Sequence, residues 1–319
     1  MIDVVKYSEN KSQEWDGFIA NSRNGTFMLM RRYVEYHKDR FEDFSLLFYD
    51  GNKLVALMPA SRHGDEVRSH GGLTYGGIII DREMTASRML DVFCALKQYL
   101  KYNGVQRLIY KRIPSIYYSY PSDEDLYALF RNGANLVRRD ISIAIDLLDP
   151  IPFSTVRSRY AKKARKEGIV ARESNDYVSY VNLLTDVLMS YHNTKPTHSA
   201  EELRLLASYF PDAIKLFCAY KGDAMLAGVL IFETPSVVHT QYIANSEEGR
   251  CCGALDLVMD YLIHEYSARK RYFDFGICTE NNGLFLNEGL VRQKEMFGGR
   301  GVAYDFYELS VNDSGNSTI

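Results

Sequence analysis

The sequence predicts an α/β protein of two related domains, each a mixed sheet flanked by helices. Three observations carry that expectation. The chain has 319 residues, long for one core and comfortable for two. Its elements run twice, in outline, through helix, helix, hairpin, strand, helix, strand, helix and strand. Between the two runs stands Asp149-Pro150-Ile151-Pro152, which no helix or central strand tolerates. The expected domains are therefore residues 1–149 and 150–311, followed by a small polar tail, 312–319, expected to be disordered.

In the first half, Met1–Lys6 reads as a strand, with helices around Ser12–Ser22 and Met30–Arg40. Strands Phe44–Tyr49 and Lys53–Ala60 are joined by Asp50-Gly51-Asn52, a hairpin signal. Leu54, Ala56 and Met58 supply the alternation of a half-buried strand. Gly71-Gly72 and Gly76-Gly77 frame Tyr75 and mark tight turns or a close backbone approach. A helix over Ala86–Tyr102, a strand over Arg107–Tyr110, a helix over Asp123–Asn132 and a strand over Ser142–Leu147 follow.

The second half opens with a basic helix, Ser154–Glu167, and a helix over Tyr177–Tyr191. A hairpin of Ile214–Tyr220 and Ala224–Phe232 turns at Lys221-Gly222-Asp223. Strand Val237–Ala244, helix Gly253–Ser267, strand Tyr272–Phe275, helix Gly283–Leu290 and strand Tyr304–Leu309 complete it.

Composition excludes several classes of function. A net charge of −3 argues against a DNA-binding protein, so any basic surface is local. No run of eighteen apolar residues is present, so no membrane-spanning helix is expected, and the first residues lack the features of a signal peptide. The five cysteines are odd in number and show no C-x-x-C pair, which suggests neither a disulfide framework nor a zinc site. A reducing, cytoplasmic setting and no metal are expected. The 24 tyrosines against a single tryptophan suit half-buried strands or a groove for a polar ligand.

Chemistry-bearing residues gather in the second half. A strand ending at Tyr242 leads through Ser246–Arg250 to a helix beginning at Gly253-Ala254. Arg250 with these small residues at a helix start offers backbone N–H groups to a phosphate. In the basic helix, Arg159, Lys162, Lys163 and Lys166 share one face at 3.6 residues per turn. They form a candidate phosphate-gripping surface. Asp274 and Glu280 lie at or beyond the end of a strand, where α/β sites collect. They are candidate bases for removing a proton from an amine. His192, Lys195 and His198 form a candidate substrate-facing loop. No nucleophile elbow appears, so no covalent acyl-enzyme is expected.

One run is specific. Phe273-Asp274-Phe275-Gly276, Glu280, Gly283, Leu286-Asn287-Glu288-Gly289-Leu290, Lys294-Glu295 and Phe297-Gly298 together resemble the C-terminal signature of FemAB-like proteins. These are tandem acetyltransferase-superfamily (GNAT) enzymes, and some add amino acids to peptidoglycan precursors. Arg157 to Gly168-Ile169 resembles the helix opening their second domain, and Phe27 to Lys38 their entry segment. The likeness spans roughly residues 14–310. It implies two GNAT-like domains, the first degenerate, and direct attack of an amine on a thioester or ester without a covalent intermediate. Arg250, Gly253, Ala254 and Asn287 then become donor-binding candidates, although Leu255 replaces the last small residue of the R-x-x-G-x-G/A loop. Lys294 is placed near the transfer point, where its charge would stabilise an oxyanion. His37, Lys38, Tyr75, Arg159, Lys163, His192, Lys195, His198 and Tyr242 become candidates for binding substrate. The long helical arm of some relatives is absent.

The function expected is transfer of an acyl group from acyl-CoA, acetyl-CoA included, to a primary amine. The acceptor would be sugar- or peptide-like, free or linked to a nucleotide or lipid, in cell-envelope or polysaccharide synthesis. Two alternatives stay open: aminoacyl-tRNA as donor to a peptidoglycan precursor, with tRNA as partner, and a non-catalytic ligand-binding protein.

Overall fold

The computed structural model describes residues 1–312. The expected disordered tail, from residue 313 on, and the side chains of His37 and His192 lie outside the described residues. The first elements are β1 (Ile2–Lys6), α1 (Ser12–Asn21), α2 (Arg31–Val34), β2 (Glu42–Asp43), β3 (Leu46–Asp50), β4 (Lys53–Met58), β5 (Ser61–His63), β6 (Glu66–Arg68) and β7 (Ile79–Ile80). Next come α3 (Ala86–Tyr102), β8 (Arg107–Lys111), α4 (Glu124–Arg131), β9 (Asn135–Asp146), α5 (Thr155–Lys166), β10 (Val170–Ser174), α6 (Tyr177–His192), α7 (Ala200–Tyr209), β11 (Ile214–Lys221), β12 (Ala224–Glu233) and β13 (Val237–Asn245). The chain closes with α8 (Glu247–Cys252), α9 (Ala254–Tyr266), β14 (Tyr272–Ile277), β15 (Thr279–Glu280), β16 (Phe285–Leu286), α10 (Glu288–Glu295) and β17 (Arg300–Ser310).

These elements divide between two compact units. One holds Met1–Ile141, Asn281–Phe285 and the chain from Ala303 on; the other holds Ser142–Glu280 and Leu286–Val302. The boundary expected at 149/150 therefore falls earlier, inside β9. The last strand, expected in the second domain, belongs from Ala303 on to the first unit. There Phe306–Ser310 pairs antiparallel with Lys111–Arg107 of β8. Strand pairing over nearly two hundred residues leaves no local trace in sequence.

In the first unit, β1, β3, β4 and β7 form an antiparallel sheet in that order. The α3 stripe Met89, Val92, Phe93, Leu96 and Leu100 is fully buried, as its spacing requires. The start of β9, then β17, β8, β6, β5 and β2, form a second run of strands.

The second unit is built on β10-β11-β12-β13-β14 and the end of β9. Every pairing is antiparallel except β13 with β14. Side chains alternate across a sheet, and helices cover both faces here. Tyr180 of α6 lies over Gly228, whose strand partner is Cys218. Phe217, one residue along, points the other way and meets Tyr261 of α9. The basic helix α5 then packs on α9 through the buried Ala161 and Ala164.

Four local expectations change. Ser246–Arg250, expected as an open turn, is mostly the helix α8, capped by the Ser246 hydroxyl accepting from Gly249 N–H at 2.9 Å. The helix expected over Gly283–Leu290 begins only at Glu288, because Gly283 adopts left-handed backbone at φ 87° and Phe285–Leu286 extends as β16. β9 begins at Asn135 rather than Ser142. Helix α7 was not anticipated, although Ser199 and Glu202 form its capping box.

Gly253 sets the angle between α8 and α9. Its φ is +82°, and a Cβ there would stand 2.5 Å from the Tyr160 carbonyl oxygen of α5. Gly253→Ala should therefore lower unfolding free energy in urea by about 2–4 kcal/mol, combining backbone strain with displacement of α5. Gly222 has φ +58° but open space around it, and Gly222→Ala should cost only about 1 kcal/mol. Equal losses in the two variants would contradict this packing.

Candidate active site

The parallel pairing of β13 with β14 is brief. It joins Val237 to Tyr272, Val238 to Phe273 and His239 to Asp274. The strands then separate, while β13 runs on to Asn245. The parting is built into β14, where Gly276 at φ +78° turns the chain and the register against β9 shifts between Asp274 and Ile277. Asp274, fully buried, ties the junction together. Its carboxylate pairs with His239 Nδ1 of β13 at 2.9 Å, accepts from the Ser142 hydroxyl of β9, and accepts from Gly276 N–H at 3.1 Å.

Beyond the parting, β13 has one unpartnered edge. Ser246 N–H donates to Leu226 O at 2.9 Å, so in the antiparallel ladder Ala244 and Tyr242 also face β12. Ile243 and Asn245 then direct their N–H and C=O groups the other way, where β14 has no pairing among the described residues. On the β12 side the ladder is bulged between Leu230 and Ile231. Next to the bulge, the Tyr180 hydroxyl donates to Tyr242 O at 2.9 Å.

A cleft of about 590 Å³ opens along that edge. Ile243, Leu255, Met259, Phe275, Leu290 and Phe297 supply an apolar lining, and Arg157, Tyr160, Tyr191, Asn245, Arg250, Asp256, Gln293 and Lys294 the polar one. A mostly apolar cleft with a few convergent polar groups is the usual form of a ligand site. Two buried polar atoms in this lining, Asn245 Oδ1 and Arg157 Nε, have no hydrogen-bond partner among the described residues. Buried polar atoms are nearly always satisfied, so both are ready to meet a ligand. Arg157 is otherwise held by Asp256 at 3.1 Å and lies over the Phe297 ring. Burial pushes the Asp256 carboxyl above the usual carboxylate range, with Arg157 opposing.

Residues 155–282 match a family model described as an acetyltransferase (GNAT) domain. The second unit has the GNAT fold. The whole chain has the fold of tandem GNAT proteins. It is similar to a crystal structure of FemX, at 11% identity and TM-score 0.67, over 95% of this chain and 96% of that one. It is also similar to L-PGS from Bacillus licheniformis, at 12% identity and TM-score 0.59, over 97% and 94%. A tandem GNAT protein from the clavulanic acid biosynthesis pathway, solved without AcCoA, matches at 11% identity and TM-score 0.52, over 98% and 100%. No curated protein sequence matches the chain. Among the described residues no helix is long and apolar enough to cross a membrane.

In this unit the predicted residues separate. Lys294 and Arg250 line the cleft. Lys294 is buried on α10, and its ammonium donates to Gly276 O at 2.8 Å and Ile277 O at 3.1 Å. Burial lowers its pKa, opposed by the nearby Cys278 and Asp274. Arg250 stacks over Tyr191 at 4.2 Å and bonds its hydroxyl. Gly253 and Ala254 do not expose a phosphate nest. Gly253 N–H donates to Gly249 O, the Gly253 backbone lies against Tyr160, and Ala254 is buried. Asn287 caps α10 by accepting from Leu290 N–H at 3.0 Å and donates to Glu280 at 2.9 Å. Glu280 is exposed and, with Asp274, is not among the residues lining the cleft.

The substrate-binding candidates also divide. Arg159 and Lys163 are exposed and line an open groove along α5. His198 is buried, its Nδ1 2.7 Å from the Tyr242 hydroxyl, so this pair fixes the α6–α7 loop to β13. Lys195 is exposed. In the first unit Lys38 is exposed, whereas Tyr75 is buried, donates to Thr26 Oγ1 at 3.2 Å and packs on Tyr117. That placement makes Tyr75 a core residue.

Sequence reading missed Asn245, Asp256, Tyr160 and Gln293. A usable signal was present only for Asp256, a carboxylate in the first turn of a mostly apolar helix. The geometry places Asp274 as an anchor: Asp274→Ala should cost about 3–5 kcal/mol in denaturant unfolding, as leaving several buried groups without a hydrogen-bond partner does at about 1–3 kcal/mol each. Glu280→Gln should change stability by less than about 0.5 kcal/mol. A stable D274A protein would remove the anchor from this account.

Proposed function

We propose that the chain is an N-acyltransferase that moves an acyl group from acyl-CoA to a primary amine in this cleft. The observation that carries the proposal is the open edge of β13 along an apolar cleft. A pantetheine arm is a narrow chain bearing two amides, and a strand edge offers such a chain alternating donors and acceptors, as in peptide β-augmentation.

In the step itself the amine nitrogen attacks the thioester carbonyl. A C–N bond forms, the C–S bond breaks, and the amine proton ends on the departing thiolate. Charge grows on the carbonyl oxygen, and an N–H of the β13 edge and the Lys294 ammonium are the fixed donors in the cleft for it. Asp256 is the carboxylate lining the cleft, and its raised pKa makes it the better base for the amine proton. Asn245 Oδ1, otherwise unpartnered, accepts an N–H of the incoming amine. The acceptor is proposed to be an amino group on a sugar- or peptide-like molecule of the cell envelope or a polysaccharide.

A second reading, with aminoacyl-tRNA as donor, is favoured by one observation: α8 replaces the open phosphate turn, and a basic groove lies beside the cleft. Calorimetric titration with CoA and acetyl-CoA separates the two. One-to-one binding supports acyl-CoA, and no heat at millimolar ligand would move the proposal to aminoacyl-tRNA.

Lys294→Met should lower kcat by about 10²–10³-fold with little change in KM; full turnover would remove Lys294 from the step. The acid limb of the pH–rate profile should lie above the ordinary carboxylate range. Asp256→Asn should abolish that limb together with most of kcat, and an unchanged profile would exclude Asp256 as base.

A further inference from the structure

We infer that the phosphates of the donor nucleotide bind along α5 rather than at the α8–α9 turn. The inference rests on the acyl-CoA reading and extends it. Arg159, Lys162, Lys163 and Lys166 line one open groove, with Glu167 its sole lining carboxylate among the described residues. Arg159, Lys162 and Lys166 have no carboxylate partner among the described residues. The other two cations of the helix reach across to α9, Arg157 to Asp256 and Arg165 to Asp260. The sequence thus splits six cations into two that fasten α5 and four that face the groove.

Tyr160 lines both this groove and the cleft, so a ligand extending from the β13 edge passes from one to the other around a single side chain. Lys163 Nζ also donates to Cys251 O at 2.8 Å, which holds the end of α8 against the groove wall.

The alternative seat is poorly suited to an anion. The Gly249, Arg250 and Gly253 N–H groups are bonded within α8 and its cap. Glu247 and Glu248 occupy the first turn of α8, and Asp256 that of α9. Three carboxylates around a diphosphate would repel it, whereas free lysines and an arginine bind phosphate through charge-assisted hydrogen bonds. The ligand class is therefore a phosphorylated nucleotide, its phosphates on the α5 face and its thiol arm in the cleft.

The test compares CoA, dephospho-CoA and pantetheine on wild type and the K162E/K166E double variant, by calorimetry at two salt concentrations. Wild type should bind CoA more tightly than dephospho-CoA, and more weakly as salt rises. The double variant should bind CoA about tenfold or more weakly, with a flatter salt dependence. Its unchanged affinity for pantetheine would show that the cleft is intact. CoA affinity indifferent to K162E/K166E but lost in R250A would overturn the inference and leave the acyl-CoA reading standing. Wild type that binds pantetheine but gains nothing from the nucleotide would also overturn it. Wild type that binds neither ligand would end both.

Discussion

The carboxylate of Asp274 is the point on which the second unit turns. It stands at the last residue pair between β13 and β14, and it reaches β13 through His239, β9 through Ser142 and the bend of its own strand through Gly276 N–H. A parallel pair that opened without such a tie would leave two strand edges to re-pair or fray. With the tie, separation begins at a defined residue. Lys294 completes the arrangement from α10 by taking up the Gly276 and Ile277 carbonyls, which lie beyond the last β13–β14 pair.

Everything proposed for the site follows from that opening. Ile243 and Asn245 owe their unpartnered backbone groups to it, and Phe275 and Phe297 owe it their place across the cleft. The ring pair of Phe275 and Phe297 keeps the far wall apolar, which strengthens every electrostatic contact inside. Lys294 thereby closes the bend while lining the cleft, and the proposed step gives its ammonium a second job there.

Much of the fold was legible in sequence because it is written locally. Helix α3 was read to its observed ends, since its apolar stripe and the following Asn103-Gly104 lie in one short segment. The hairpins turned by Gly51 and Gly222 were equally visible. What escaped depends on distant pairing: β17 joining β8, the early start of β9, and the brevity of the β13–β14 contact. The site was legible in part for the same reason. Lys294 came from resemblance and Arg250 from a local motif, and both line the cleft. Asn245 has no local mark, and Asp256 only its place in the first turn of α9, because their value comes from facing an edge that opens elsewhere. Gly253 misled in an instructive way: the glycine was read as leaving room for phosphate, and the room is filled by the Tyr160 backbone.

The central claim is that the free edge of β13 seats the donor. Residue-resolved amide hydrogen exchange, with and without CoA, addresses it directly. Protection of the Ile243 and Asn245 amides on adding CoA, with Tyr242 and Ala244 unchanged because they already face β12, is the result the account predicts. CoA binding that protects other amides and leaves Ile243 and Asn245 exchanging as before would contradict it.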